Sequence, residues 1–392
     1  MIKIDHIKQQ INKNLNEYIS IRHKLHSLAE PSWKEFKTTS EVSEILKKMG
    51  LELKKFDVLE TGGYVDILSD PVKPWIGFRA DIDALEVPDD DNLEYRSIHS
   101  GICHACGHDF HTTVGLALCQ ILAKNEQQAP YNYRIIFQPA EEPIPSGAYK
   151  IKNHPAIQQL SMIFGIHVEP QLPVGTISFV EGWANASSNK LSIVFKGPGG
   201  HSARPQLSQD LLQQASKFIL ESTQEFNEGL SEEYPGVLVY TMIRAGESYN
   251  SIPKKVVLNG TLRITNSNDL ERFKTYLLKY QNNFRKNNGL DFTFELIPGA
   301  PPVIIKNDIY LSLHKIYRKF LSTEIPVREY RTMGGDDFGW YLESIPGAMI
   351  RIGVSDEHNN SEKPLHSFGF DANDDALLPA IFSISVFLLT WN

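Results

Sequence analysis

The stretch GICHACGHDFHTT (101–113) places Cys103, His104, Cys106, His108 and His111 within nine positions. All five side chains bind transition metals. Three chemistries compete for such a stretch. A structural zinc knot needs two ligand pairs, and Cys103–Cys106 has no second CxxC or HxxxH at suitable spacing. A redox CxxC needs a context that lowers one thiol's pKa, and here the surroundings are crowded with histidines instead. The third chemistry is the front half of a catalytic metal site. It requires further donors elsewhere in the chain, at the ends of strands, where α/β sheets place their sites.

Such donors are present. WIGFRADIDAL (75–85) reads as a strand ending on Asp81 and Asp83, and IIFQPAEEP (135–143) as one ending on the pair Glu141 and Glu142. MIFGIHVEP (162–170) reads as a strand ending on His167, and KPLHSFGFD (363–371) offers His366 before the last helix. Each alone is commonplace, since histidines and glutamates after strands are usually solvated loop residues. Together they suit amide hydrolysis, which needs a nucleophile and an electrophile for the carbonyl oxygen. Two divalent metals about 3.5–4 Å apart supply both. Adjacent glutamates divide the labour, one binding metal and the other moving the proton from water to the leaving amine. Asp81, Asp83 and Asp109 are placed to orient the histidines.

The elements that must position these residues follow from periodicity. Ile4, Ile7, Ile11, Leu15, Tyr18, Ile21 and Leu25 have helical spacing, and a second helix is expected over 35–49. Apolar runs at 64–68, 75–79, 133–138 and 161–168 read as strands, with a helix at about 111–124 between the second and third. That alternation predicts an α/β sheet with helices on both faces. From residue 184 the order becomes strand 190–197, helix 208–224, strands 236–246 and 254–265, helix 269–286 and strand 290–298. This is the β-α-β-β-α-β ferredoxin-like unit. Helices at 307–322 and 373–389 then flank a strand at 347–353. The expected organisation is an α/β/α domain formed by 1–183 and 297–392, interrupted by an inserted α+β domain at 184–296.

Composition bounds the partners. The 392 residues carry a formal net charge of −8, with no basic excess for a nucleic acid. The start has no apolar core of signal-peptide type, and AIFSISVFLLTW near the C-terminus is too short to span a bilayer. Three cysteines is an odd, low count that fits a reducing compartment, so a cytoplasmic protein without membrane or nucleic-acid partners is expected.

The chain resembles the dinuclear metallopeptidases related to aminoacylase, glutamate carboxypeptidase and acetylornithine deacetylase. It is most similar to their amidohydrolase branch: hippurate hydrolase, N-acyl-amino-acid deacylases, N-acetyl-diaminopimelate deacetylase and auxin-conjugate hydrolases. The resemblance runs nearly end to end through RHKLHSLAEPSWKE (22–35), TGGYV, FRADIDAL, HACGHDFHT, FQPAEE, GIHV, GPGGHSARP (197–205), NSIP (250–253), GTLR (260–263), GGDDF (334–338) and LHSFGFD. It implies an α/β/α metallopeptidase catalytic domain with a ferredoxin-like insert. It also implies two divalent metal ions per subunit (zinc, manganese, cobalt or nickel) held by Cys106, His108, Glu142, His167 and His366. Cys106 stands where relatives use a bridging aspartate, so it is expected to bridge as thiolate. Glu141 matches the general base, and His201 a histidine that stabilises the tetrahedral intermediate, often in a neighbouring subunit's site. Asn250 and Arg263 match positions that contact the substrate carboxylate. The implied activity is hydrolysis of N-acyl amino acids. A β-α-β-β-α-β unit has one sheet face free of helices and two edge strands, so a homodimer formed through 184–296 is expected.

Cys103 and Cys119 match no ligand position. The chain departs from the family pattern at Ala29, where a proline usually precedes the glutamate, and in ALE (84–86), which lacks a proline after the leucine. It departs again at Asp336, where relatives carry glutamate. None of these removes a proposed ligand or base. A dipeptidase or aminopeptidase on the same site is the enzymatic alternative. A ligand-binding pseudoenzyme would not require an intact Glu141, and a redox protein would depend on Cys103.

Overall fold

The computed structural model describes residues 4–356 and 363–391. The chain divides into two compact units, one of Met1–Ala184, Ile304–Arg331 and Trp340–Asn392, the other of Asn185–Val303 and Thr332–Gly339. The second unit therefore extends beyond the 184–296 expected from periodicity and takes in a short return segment that carries no helical or strand pattern.

The first unit opens with α1 (Ile4–Leu28) and α2 (Phe36–Lys48). Ile7, Ile11, Tyr18 and Leu25 of α1 are fully buried, forming the stripe the spacing predicted. Burying each such side chain contributes about 1.5–3 kcal/mol. The sheet contains β1 (Gly63–Ile67), β2 (Trp75–Asp81), β3 (Asn132–Gln138), β4 (Leu160–Pro173), the short β5 (Ile177–Ser178) and, late in the chain, a strand over Gly347–Ser355. The helix between β2 and β3 is α3 (His108–Lys124). β2 lies between β3 and β4 and is parallel to both. The connections from β2 thus reverse direction at the centre of the sheet, the position where α/β folds open a crevice at the strands' carboxyl ends.

Two expectations change here. α3 begins at His108, three residues before the expected start, so His108 and Asp109 lie in its first turn. Gly107 makes this abrupt start sterically accessible: its φ is +76°, and a Cβ there would meet Val168 Cγ2 at 2.5 Å. His167 is not at the end of its strand, because β4 continues to Pro173. Pairing with β2 stops at Gly165 opposite Arg79, whereas the ladder with Gly347–Ser355 carries β4 onward. His167 is past the end of one neighbour and still inside the other.

The second unit has β6 (Asn189–Lys196), α4 (Leu211–Glu228), β7 (Gly236–Ala245), β8 (Lys255–Ile264), α5 (Ser267–Asn288) and β9 (Asp291–Pro298). The sheet order is β9-β6-β8-β7, antiparallel throughout, as the ferredoxin-like reading requires. Phe195, Phe218 and Phe292 centre its core, with ring centroids 5.1–5.8 Å apart. Asp210 caps α4, accepting from the Leu212 and Gln213 amides.

The first unit resumes with α6 (Asn307–Phe320), the sheet strand β10 (Gly347–Ser355) and α7 (Leu377–Thr390). α7 is apolar almost all round and correspondingly buried. The expected start at 373 is occupied by a 3-10 turn over Asp374–Ala376. No described helix is long and apolar enough to cross a membrane.

Candidate metal centre

Backbone hydrogen bonds bring the chemical residues of the first unit together. The Cys103 segment pairs with Leu85 just past β2 (Leu85 N to Cys103 O, 3.0 Å) and turns back through Gly107 N to His104 O, 2.9 Å. The His366 amide, 260 positions away from Cys106, donates to the Ala105 carbonyl at 2.8 Å. The Glu142 amide donates to Asp83 Oδ2 at 3.3 Å. One short turn therefore receives donors from the ends of β2 and β3 and from the segment before α7.

The Cys106 sulfur sits between two histidines, 3.4 Å from His167 Nε2 and 3.3 Å from His366 Nε2. It belongs to two donor groups whose ligand atoms lie within 4.8 Å of one another: Cys106 with His108 and His167, and Cys106 with Glu142 and His366. Glu141 and Glu142 form a third such group with His108. The ring nitrogens are already sorted. His108 Nδ1 faces the Asp83 carbonyl at 2.9 Å and its carboxylate at 3.2 Å, so Nδ1–H donates there and Nε2 is the nitrogen left to exchange a proton for a metal. His167 Nδ1–H donates to the Val168 carbonyl at 2.7 Å, which leaves its Nε2 facing the sulfur.

His108 Nε2 is buried without a hydrogen-bond partner, and the nearly buried Glu142 Oε1 faces the His366 ring, 3.3 Å from its Nε2. An orphaned buried polar atom is costly, and this nitrogen and carboxylate oxygen beside a thiol fit a divalent transition ion. The charges agree. Burial works against a charged His108, but the Asp81 carboxylate and the Cys106 sulfur outweigh it and hold its pKa well above the usual imidazole range. Hydrogen bonds with Cys106 and Glu142 likewise raise His366 to about 10, against partial burial. These protons occupy positions that a cation would take.

Asp81 and Asp83 are fully buried. Burial opposes ionisation of Asp81, yet Arg79, His108 and His111 keep its carboxyl well below the ordinary range. Asp83 is held low in the same way, against burial, by the hydrogen bond from His108. Asp109 does not join them. Its carboxylate meets His26 Nδ1 at 3.0 Å and Arg22 at 3.3 Å, because the first turn of α3 points it towards α1 rather than towards His108. Cys103 is also turned away: it is buried near the Pro88 carbonyl (3.9 Å), and burial, with Asp89 and Asp109 nearby, pushes its thiol up to about 12. Cys119 is buried in α3.

Two residues here were given no role by sequence reasoning, although His111 stands in the opening stretch. His111 is saturated, with Nδ1 2.6 Å from Asp81 Oδ1 and Nε2 accepting the Val168 amide at 2.9 Å. It holds β4 where β2 no longer pairs with it. A helix start at 108 would have placed His108 and His111 on one face and drawn attention to the pair. Glu35 is fully buried beneath the Glu141 loop. Burial, reinforced by Asp83, raises it to about 7. The residue lies within the quoted motif, but nothing in its local sequence marks it as buried.

In the second unit, His201 and Asn250 are adjacent. The Gly200–His201 and Ser251–Ile252 segments pair, and Ser202 N donates to Asn250 O at 3.0 Å. His201 is exposed, with Nδ1 accepting from Ala203 N at 3.1 Å. Arg263 is partly buried on β8 and gives one N–H to Met333 O at 3.1 Å. Asp336 is buried, and its Oδ1 accepts the Phe338 amide at 2.9 Å, a local turn that suits the shorter carboxylate.

Residues 77–379 match peptidase family M20/M25/M40. The chain is 32% identical over 363 residues to N-acetylcysteine deacetylase of Bacillus subtilis (strain 168), covering 92% of this chain and 93% of the relative. It is 33% identical over 362 residues to N-acetyldiaminopimelate deacetylase of Oceanobacillus iheyensis, covering 91% and 94%. It also matches a Rhodococcus jostii protein named for glutamate–cysteine ligase, 31% identical over 92% of this chain, but spans only 45% of that protein's length. A solved structure from methicillin-resistant Staphylococcus aureus shares the fold, with a TM-score of 0.92, 24% identity and 99% coverage of both chains. A Bacillus subtilis structure, described as a dinuclear metal-binding peptidase from the M20 family, superposes with a TM-score of 0.82 at 28% identity, covering 97% of this chain and all of that one. By the extent of these matches, this chain belongs to peptidase family M20/M25/M40.

Proposed function

We propose that this chain hydrolyses the amide bond of N-acyl amino acids, releasing a carboxylic acid and a free amino acid, with two divalent metal ions held by Cys106, His108, Glu142, His167 and His366. The observation that carries the reading is the Cys106 sulfur shared between two donor groups, beside the orphaned Nε2 of His108. The substrate class is supported by the relatives named as deacetylases of N-acetylcysteine and N-acetyldiaminopimelate. Those names favour deacylation over the dipeptidase or aminopeptidase alternative.

When bound, the ions supply a Lewis acid for the amide carbonyl and ease loss of a proton from water. Glu141 takes the proton of the attacking water and passes it to the leaving nitrogen. Cys106 serves as thiolate, and Asp83 holds His108 in the tautomer that leaves Nε2 open. Asn250 and the remaining N–H donors of Arg263 receive the substrate carboxylate. Zinc, manganese, cobalt and nickel all suit this N, O and S donor set. A cytoplasmic location is supported by three free cysteines, all buried. The test is a screen of acetyl-, benzoyl- and longer acyl-amino acids with each metal restored to the metal-free protein. Turnover of free-amine dipeptides without turnover of any acylated amino acid would move the assignment to the peptidase alternative.

The second unit is proposed as the dimerisation domain, with His201 serving the partner's site. Support comes from β7, an edge strand with Val237, Val239 and Ile243 exposed. Co-expressing His201→Ala with Glu141→Gln tests it. Mixed dimers carry one site with both residues intact, so about a quarter of wild-type turnover is expected with free exchange. A mixture no more active than the better parent would refute it.

A further inference from the structure

Among the described residues, the non-glycine positions with left-handed backbone are Trp33 (φ 69°), Ala140 (φ 54°) and His366 (φ 62°). Side chains rarely adopt this conformation, and it persists only where surrounding contacts over-determine it. Ala140 immediately precedes the glutamate pair. Its amide donates to Glu35 Oε1 at 2.9 Å, and the Trp33 amide donates to the same oxygen at 2.9 Å. The other oxygen, Oε2, accepts the Thr61 hydroxyl at 2.7 Å. Glu35 is fully buried at the start of α2. A buried carboxylate with three donors on its two oxygens is a rigid anchor. It ties two strained turns to one point. The same two turns meet a second time at Asp83 Oδ2, which accepts from Ser32 Oγ at 2.7 Å and from the Glu142 amide at 3.3 Å. The Ala140 carbonyl is taken by the Gly147 amide at 2.7 Å, so the turn is fastened on both sides of that residue.

We propose that Glu35 is a positioning residue: its carboxylate pins the left-handed turn at Ala140 and so aims the following Glu141 at the reacting water. This inference rests on the functional reading above. In this role Glu35 acts through Glu141 rather than on the substrate or a metal. Without its oxygen, the Trp33 and Ala140 amides lose their acceptor in a buried site, and the turn relaxes to an ordinary backbone conformation. A displacement of about 1 Å in a catalytic group costs on the order of 10²-fold in rate.

The test compares wild-type, Glu35→Gln and Glu35→Ala as full chains with zinc restored. Three quantities are measured: kcat and KM on the N-acetyl amino acid that wild-type turns over best, zinc content, and hydrogen exchange of the segment 139–142. The alanine variant is expected to lose kcat by about 10²-fold with KM and zinc content little changed. Exchange should quicken at 139–142 and not across the sheet. Glutamine keeps an acceptor oxygen for both amides, so it should retain most of the wild-type kcat. A folded alanine variant with wild-type kcat and exchange overturns the proposal. If the alanine variant does not fold, the glutamine variant decides: retained kcat supports the role, and a loss on the scale of 10²-fold refutes it. If wild-type hydrolyses no acylated amino acid, the functional reading has failed, and the exchange comparison still judges whether Glu35 holds the turn.

Discussion

Two clusters of histidine and carboxylate flank the first turn of α3, and they differ in what their atoms have left over. On one side, Arg22, entirely buried, bonds Asp109 at 3.3 Å, Asp371 at 2.9 Å and Asp374 at 2.5 Å, with Tyr95 Oη accepting at 2.8 Å. His26 joins through Asp109 at 3.0 Å and Asp89 at 3.2 Å. His26, Asp109 and Asp371 are close enough to hold a metal by distance alone. Arg22 already fills the cation's role there, and every ring nitrogen of His26 has a partner. On the other side, the Cys106 group has a buried ring nitrogen still open at His108. Residue types do not separate the two clusters. The presence of a fixed guanidinium in one and of an unpartnered ring nitrogen in the other does.

The largest expected effect removes the atom shared by both donor groups. Cys106→Ala should abolish hydrolysis and lower metal content, whereas Cys103→Ala, three positions earlier, should leave both close to wild type. Elemental analysis of the two purified variants measures this. Equal metal loss would return Cys103 to the site and revive the zinc-knot or redox readings. Next, Glu141→Gln should retain its metal and lose about 10²–10⁴ in rate, the usual contribution of a general base. Full activity would remove Glu141 from the proton transfer. Glu142→Ala should weaken metal binding first.

The saturated cluster should respond in stability instead. Arg22→Met removes the guanidinium from Asp109 and Asp371 and leaves His26 as their remaining cationic neighbour; breaking a buried pair costs up to about 3–5 kcal/mol. Denaturant unfolding should show this loss, while added zinc still raises the melting temperature of the folded variant. In Cys106→Ala the pattern should reverse, with stability near wild type and the response to zinc lost. If Arg22→Met and Cys106→Ala lose the zinc response equally, the two clusters act as one.

The smallest effect is one of pH. Burial would lower the His26 pKa, but its hydrogen bonds with Asp109 and Asp89 raise it to about 10. Asp371, 3.9 Å away, adds to this, and the Tyr95 and His104 rings lie at 5.4 and 6.0 Å. The folded chain therefore holds this proton more tightly than the unfolded one. The contribution is complete below the ordinary histidine pKa of about 6.5 and fades as pH rises towards 10. Wild-type stability should fall more steeply than that of His26→Gln between pH 6.5 and pH 10. Parallel curves would mean that His26 is neutral in the fold.

Much of the architecture was legible because it is written in short-range periods. The spacing of Ile7, Ile11, Tyr18 and Leu25 marks one face of α1, and the alternation in KLSIVFKG marks β6, because these patterns depend only on which face is buried. The start of α3 was missed because Gly107 begins that helix without a side-chain cap. The end of β4 was missed because its length depends on a partner strand some 180 positions further on.

The donors of the centre were equally visible as residue types, and their order along the chain is what makes the family resemblance specific. Sequence by itself determined the elements, the inserted β-α-β-β-α-β unit and a supply of cysteine, histidine and carboxylate around the ends of β2 and β3. Only the tertiary structure decided what each donor does. Cys103 and Cys106 share their chemistry and their neighbourhood, yet one sulfur packs near Pro88 and the other between His167 and His366. His108 and His111 lie one turn apart in α3, yet the Val168 amide closes one ring and leaves the other open. Asp109 follows His108 directly and bonds to α1. The physical reason is that a lone pair is kept or used according to what is packed against it. Here the packing partners come from β4, from α1 and from the segment before α7, all far away along the chain.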